Sequence, residues 1–528
     1  MENFFTKLDL IAGLETENKI AVWLERLAFI FLILMVLSAP HSIAATQIAL
    51  VLGILFWLAR FFVKPHPKFI KTALFIPLLA FFGWSVLTAI FSYAPDISLD
   101  KLRNVSLLII FFFAINNLRT IKAVKFLAFA LIFSCMINVV WTPVNRLIGR
   151  GVEINNVKSE SPLIKAGLRE GDTVVEADGE KVYSPEGLLD KIEQNNISKV
   201  NFYRPDFYLT VDVKKSDLLA GGNALEKLGV GNWKKSRNWR SSGFYGMYAT
   251  YAEVLQLIAS LTLGLFIAGF VWQKGKKQKA KGENKNKPQT KKIPFLRVAV
   301  LPFLLFVCVG LMTLALLLTV TRASQGAFIV SAFSIVLLGA SRKMIIIALL
   351  IAIPVIIGGL FFLQQSREVG FYDTKDDSIL WRQTVYREGF QLWTKNARNF
   401  TTGVGMDSIK RYKEEWKLFD NGKLPPGHFH STPLQLLVER GFPALILWLL
   451  ILGIYAFKML KTLRQNKFKD WIEKGIVLGC FGGLVGFFTS GLVHYNLGDS
   501  EVSMVFYLLM AFAIRIVSRE KIEKTEMV

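Results

Sequence analysis

The feature that most constrains this chain is a recurrence of apolar runs about 20 residues long, the length a helix needs to cross a bilayer. Apolar windows place about twelve of them, at roughly 21–40, 43–62, 73–92, 104–118, 123–142, 246–272, 298–320, 325–340, 344–363, 441–460, 475–495 and 502–518. Composition agrees. Of 528 residues 52% are hydrophobic and only 20% charged, whereas a soluble chain of this length divides into three or four domains and carries more charge. A soluble enzyme with one amphipathic anchor is excluded.

The formal net charge is +23, from 63 Lys and Arg against 40 Asp and Glu. An excess of that size raises nucleic acid as a partner, but the basic residues gather between apolar runs, as topology determinants do. No nucleic-acid recognition motif is present, so nucleic acid is not expected as a partner. Cys135, Cys308 and Cys480 each lie inside an apolar run, with no CxxC pair, zinc spacing or disulfide framework. They read as small fillers of helix packing. The N-terminus is acidic and polar before its first run, unlike a cleavable signal peptide, so the first helix is expected to stay.

The basic loops set the expected sides. From Lys274 to Lys292 nine lysines lie in a Gly-, Asn- and Gln-rich stretch, which should be cytoplasmic and disordered. Arg60, Lys64, Lys68 and Lys71, then Arg119, Lys122 and Lys125, then Arg342 with Lys343, and Lys461, Arg464, Lys467 and Lys469 mark further loops. Twelve crossings put all of these on one side, with both termini and Arg515, Arg519 and Lys521. The expected topology is N-in and C-in, leaving two large segments outside, about 143–245 and about 364–440.

Between about 149 and 215 short strands, turns and a helix replace the apolar runs. Ser161-Pro162, Ala166-Gly167-Leu168, Gly171-Asp172 and Asp178-Gly179 follow one another within Val157–Val182, and this stretch resembles a PDZ domain of the bacterial envelope type. A second helix is expected at about 185–195 and a closing strand at about 207–213. PDZ domains bind extended peptide ends by strand addition, which would make an envelope protein a partner. Yet Leu147-Ile148-Gly149-Arg150 follows so closely on the fifth span that little chain is left for a first strand. Peptide binding and a docking or spacing role both stay open.

The segment 364–440 is longer than a connection needs, as functional loops are. Its apolar residues, among them Leu380, Trp381, Val385, Phe390, Leu392 and Trp393, predict an amphipathic helix lying at the membrane face. Several chemistries lack their residues. There is no HExxH pair for a metalloprotease and no Walker loop for ATP. Gly282 has no phosphate-loop spacing, and Ser490 with His494 lacks the glycine pattern of an intramembrane serine protease. What remains is polar chemistry at the outer face. Of five histidines, His428 and His430 stand two residues apart just before an outer-facing helix, and imidazole is the natural proton acceptor near neutrality. Arg322 sits in a short outer hairpin where Arg and Lys are normally avoided, and Arg382 lies in the long outer loop. A guanidinium fork suits phosphate, so two arginines near a histidine suggest an enzyme acting on a lipid-linked phosphate.

These residues resemble the O-antigen ligase family, which also includes O-antigen polymerases and protein O-oligosaccharyltransferases. His430-Ser431, nine residues and then Gly441-Phe442-Pro443-Ala444 follow its histidine motif, with Ala444 departing in the last slot. Thr321-Arg322-Ala323 is similar to its Ser/Thr-Arg-small motif. Arg382, Tyr386 and Gly389 with Gly403-Val404-Gly405-Met406 are similar to its arginine segment and glycine turn. The resemblance implies an all-α polytopic membrane protein of about twelve transmembrane helices with GT-C-type architecture, carrying a small α+β PDZ-like periplasmic insertion. The expected divisions are an N-terminal membrane domain at 1–145, the PDZ-like domain at 146–216, a linker at 217–245 and a C-terminal membrane domain at 246–528. The last contains the basic loop 273–297 and the catalytic loop 364–440.

The resemblance further implies a glycosyltransferase of the bacterial inner membrane, its active site facing the periplasm, with no metal and no cofactor. The donor would be a glycan on undecaprenyl pyrophosphate and the acceptor a hydroxyl of lipid A–core. Arg322 and Arg382 would hold the pyrophosphate and His430 would accept the proton. His428 is the alternative base, though the spacing to Gly441 fits His430. Asp499 is a supporting candidate that would orient the histidine or the acceptor. O-antigen or exopolysaccharide polymerisation, protein glycosylation and, in another class, a non-catalytic membrane scaffold are the alternatives.

Overall fold

A computed structural model describes residues 2–14, 16–204, 207–282, 295–346, 350, 357–358 and 377–519. Among them nine helices are long and apolar enough to cross a membrane: Lys19–Ser38, Ile43–Phe62, Ile121–Ile148, Tyr248–Gln273, Val300–Leu318, Arg322–Gly339, Thr432–Gln465, Trp471–Gly491 and Ser500–Val517. Phe75–Ile90 is apolar but shorter, at 16 residues. The run expected at 104–118 is a helical path from Leu102 to Asn117, tightened by a 3₁₀ turn at Ser106–Leu108. The span expected at 344–363 lies largely outside the described residues. The basic loop expected at 273–297, with disorder from Lys274, begins later, because the helix from Tyr248 runs on to Gly282; residues 283–294 lie outside the described residues.

Two compact units result: Met1–Met136 with Ala249–Leu316 and Arg322–Val528, and Ile137–Tyr248 with Leu317–Thr321. In the larger, helical unit the expected same-side loops meet. Arg60 and Arg119 both pair with the buried Glu25, at 2.7 and 2.8 Å. Glu473 takes Lys125 and Arg519, at 3.2 and 2.9 Å, and Arg515 donates to the Leu118 carbonyl at 2.6 Å. Each carboxylate here meets two cations, the arrangement a buried charge needs.

Glycine lets two helices of this unit touch backbone to backbone. Gly475, Gly479 and Gly483 recur every fourth residue on Trp471–Gly491, a small-residue stripe of the kind that brings membrane helices close. A Cβ on Gly479 would stand 2.6 Å from Leu261 Cα, and one on Gly264 2.2 Å from Gly479 N. The helix from Tyr248 is therefore pressed against Trp471–Gly491, which fixes what its first turns can reach.

The second outer segment folds on itself. Helix Asp377–Thr394 buries Val385, Leu392 and Trp393 in a core shared with Val404, Ile409, Leu418, Phe419, Phe429 and Val438. The helix expected at the membrane face is present, and part of its apolar surface is buried within the segment. Val385, Leu392 and Trp393 belong to the loop's own core, and Leu380 and Phe390 stay exposed.

The smaller unit holds β1 (Arg150–Val157), β2 (Thr173–Ala177), β3 (Glu180–Lys181), β4 (Ile197–Arg204), β5 (Phe207–Lys214) and β6 (Val230–Ser236). They form one antiparallel sheet in the order β5-β4-β2-β1-β6, with β3 on β2. Its core includes Val152, Ile154, Leu163, Val174, Leu188 and Phe202. Ser161 and Ser184 cap proline-started helices, and Asp178-Gly179 turns β2 into β3 with both φ positive, 50° and 83°, as a two-residue hairpin requires.

The boundary at 216 is not where the sheet ends. Residues 217–245, read as a linker, contain β6, which pairs along β1 from Arg150↔Ser236 to Val157↔Val230. Helix Ala224–Leu228 ends on Gly229 in the left-handed conformation, and this reverses the chain onto β1. The first strand, for which little chain seemed to be left, is present: β1 starts at Arg150, two residues past the end of the helix Ile121–Ile148, and β6, from residues after the expected closing strand, pairs beside it.

Candidate active site

His430 owes its place to the helix that follows it. Ser431 caps Thr432–Gln465, its hydroxyl accepting from the Leu434 N–H, Thr432 N–H donates to the His494 carbonyl at 3.1 Å, and Pro433 has no N–H to satisfy. The helix start is therefore spent on its own capping, and an anion at this place depends on side-chain donors. His430 itself has φ +44°, uncommon for a residue with a side chain. Tyr386 holds that conformation by donating its hydroxyl to the His430 carbonyl at 2.9 Å.

Nine residues on, the helix breaks at Gly441, φ 75° and ψ −179°. Pro443 offers no N–H to the Glu439 carbonyl four residues back. The glycine turn fills that gap: Gly405 N–H donates to the Glu439 carbonyl at 2.9 Å and Val404 N–H to the Val438 carbonyl at 2.8 Å. Trp84 donates its indole N–H to the Arg440 carbonyl at 2.8 Å. A Cβ on Gly441 would stand 2.0 Å from the Thr401 carbonyl oxygen. The His-to-Gly spacing is thus the length of one capped helical segment, stitched at its break to the turn 403–405.

Three imidazoles gather at the capped end. Ring centroids are 4.1 Å apart for His428 and His430, 5.5 Å for His430 and His494 and 6.1 Å for His428 and His494. Trp381 meets His430 edge-on at 4.9 Å. The His430 N–H donates to Nδ1 of His428 at 3.3 Å, which makes neutral His428 the Nε2–H tautomer. His494 Nδ1 stands 3.1 Å from Glu253 Oε1. Burial lowers all three basicities: His430 to about 2, with His428, His494 and Arg382 adding to the effect; His494 to about 4, with His428 and Arg382 adding; and His428 by direction. At neutral pH the cluster is uncharged, with lone pairs available and Arg382 as its neighbouring cation.

Of the residues expected from sequence, His430, His428 and Arg382 come together. Arg382 has no carboxylate partner among the described residues, whereas Arg398 is occupied by the Phe91 carbonyl at 2.7 Å and the Tyr93 ring, and Arg387 is exposed. Arg322 is the first residue of Arg322–Gly339 and half-buried; the ring contacts that define the cluster do not run through it. Asp499 accepts the Thr250 hydroxyl at 2.5 Å, and the carboxylate at His494 is Glu253 instead. His494 lies past the end of Trp471–Gly491, so it does not share a helix face with Ser490. Among the described residues no group of three His, Cys, Asp or Glu is arranged to hold a metal ion.

Sequence reading passed over Glu253 as a site residue. A signal existed: it is the sole charged residue between Tyr248 and Gln273, and an ionisable group inside a span marks function by default.

Comparison with known proteins bears on two segments. Residues 307–449 match the family model described as O-antigen ligase, a stretch that contains Arg322, Arg382, His430 and Gly441. Residues 136–214 match the PDZ domain. Both resemblances read from the sequence are therefore met, each over its own part of the chain. No curated protein matches the chain.

Proposed function

We propose that this multi-pass membrane protein is a glycosyltransferase of the O-antigen ligase type, moving a glycan from undecaprenyl pyrophosphate to a hydroxyl of lipid A–core at the periplasmic face of the inner membrane. The observation that carries the reading is the uncharged imidazole cluster beside Arg382, which has no carboxylate partner among the described residues, inside the segment that matches the O-antigen ligase family. Lone pairs at neutral pH suit proton acceptance, and a half-buried guanidinium suits a phosphate.

In the reaction, the acceptor oxygen forms its bond to the anomeric carbon while the bond from that carbon to the pyrophosphate oxygen breaks. The electron pair leaves on the pyrophosphate, where Arg382 and Arg322 stabilise the charge, and the hydroxyl proton goes to His430. His428 supports His430 by accepting its backbone N–H rather than acting as the base.

A positioned base contributes about 10²–10⁴-fold, so His430→Ala is expected to lower transfer by that factor with donor binding retained. The check is the lipopolysaccharide ladder of a deletion strain complemented with wild type or His430→Ala, beside donor binding to the purified variant. Loss of the ladder with undecaprenyl-linked polymer accumulating is the ligase outcome. Collapse to core plus one repeat unit means polymerisation, and full complementation by His430→Ala removes the proposed base.

A further inference from the structure

Glu253 is the polar group that the reaction above leaves without a role. It lies in the second turn of the helix from Tyr248, its side chain 3% exposed and Oε1 3.1 Å from His494 Nδ1. Among the described residues no donor is aligned on either of its oxygens as a hydrogen bond. Burying a carboxylate in that state is costly, and His494 is the group placed to relieve it. The backbone of His494 is already fixed. Its carbonyl takes both the N–H and the hydroxyl of Thr432, each at 3.1 Å, and Asn496 ties the same loop to the Phe487 carbonyl at 2.7 Å and to Ser490 Oγ at 2.9 Å. What stays open is how the ring is turned and which nitrogen holds the proton, and Glu253 decides both. The glycine stripe at Gly475 and Gly479 brings the two helices close enough for this contact.

We propose that Glu253 is a positioning residue that orients His494 with its Nδ1–H toward the carboxylate, and that the Glu253–His494 pair is where the proton of the acceptor hydroxyl comes to rest. This rests on the glycosyltransferase reading above. His430 is a poor place for a proton to stay, because it faces His428, His494 and Arg382 and no carboxylate pairs with it among the described residues. His494, whose ring centroid is 5.5 Å from that of His430, is faced by the same His428 and Arg382 but also by Glu253. Asp499 adds negative charge near Glu253 and is itself bonded to Thr250 and to Glu501. Once His430 has taken the proton, the proton moves to the second nitrogen of His494. A carboxylate beside a neutral imidazole becomes a carboxylate beside an imidazolium, His430 is neutral again, and His494, 20% exposed, releases the proton to water before the next acceptor reacts.

The test uses the full-length protein in detergent with a glycan-pyrophosphate-undecaprenol donor. Glu253→Gln keeps the shape and removes the charge. The expected result is a donor KM within about twofold of wild type and a kcat lowered about 10- to 100-fold, the range for losing an oriented base partner. The acid limb of kcat moves to lower pH, since His494 loses affinity for the proton. Glu253→Asp, which retains the carboxylate, restores part of kcat and the position of that limb. In parallel, ¹⁵N spectra of histidine-labelled protein, which has five histidines, read the His494 tautomer without turnover: Nδ1–H in wild type, lost in Glu253→Gln. Folded Glu253→Gln with unchanged kcat, pH limb and tautomer overturns the proposal. A wild type that transfers no glycan yet shows the tautomer change overturns the glycosyltransferase reading and with it the proton-store role, leaving Glu253 as the group that orients His494.

Discussion

At the scale of single residues, the imidazole cluster makes a pH prediction whose sign can be worked out. The neutral forms of His430 and His494 are the reactive ones, and burial with the neighbouring His428 and Arg382 lowers their basicities to about 2 and about 4, so His494 sets the acid limb. The acid limb of kcat/KM, which reports the free enzyme, should therefore lie far below the ordinary imidazole value of about 6.5. A bound pyrophosphate brings negative charge and favours the imidazolium, so the acid limb of kcat should lie at higher pH than that of kcat/KM. Parallel profiles with one common limb near 6.5 would count against a buried base. Sequence made His428, His430 and Arg382 legible because each belongs to a local pattern. Glu253 and His494 stand 241 positions apart, and their 3.1 Å contact exists only once two distant helices pack.

At the scale of elements, the decisive object is the segment between Ser431 and Gly441. Its length is set by a cap at one end and a break at the other, and the break depends on N–H groups lent by 403–405. Gly441→Ala places a methyl in a left-handed conformation and 2.0 Å from a carbonyl oxygen. The expected cost is about 3 kcal/mol, read as a lower thermal midpoint in detergent with transfer lost in proportion to folded protein. A midpoint unchanged within error would show that the turn 403–405 adapts freely. The spacing was visible in the sequence, but the stitch was not. Nothing in Gly403-Val404-Gly405 by itself says which carbonyls it serves. The helix Asp377–Thr394 was likewise predicted as amphipathic, but periodicity shows that an apolar face exists and not what covers it. Here the cover is Phe419, Phe429 and Val438.

At the scale of the whole molecule, the inserted sheet begins and ends on paired strands, Arg150 opposite Ser236, which in an antiparallel ladder puts the two Cα atoms about 5 Å apart. Residues 150–236 should therefore be removable with a short Gly-Ser bridge, because domains with adjacent ends tolerate insertion and excision. The expected outcome is a folded helical unit with its donor transfer within about threefold of the full chain, checked on the purified deletion; complete loss of transfer by folded protein would place part of the chemistry in the insertion. β6 escaped sequence reading because Val230–Ser236 carries little apolar alternation, with five of its seven residues facing outward at least partly. Another feature of the unit bears on how it is made. Ser500–Val517 is 83% buried, and Arg515 and Arg519 clasp the Leu118 carbonyl and Glu473, yet this helix leaves the ribosome after every other described span. The earlier helices must therefore wait in the bilayer with an unfilled centre, guarded by lipid or by the insertion machinery. The bundle closes as a keystone closes an arch, so a ribosome that stalls shortly before residue 500 is expected to deliver a protein with all its reactive side chains and no central helix to pack them on.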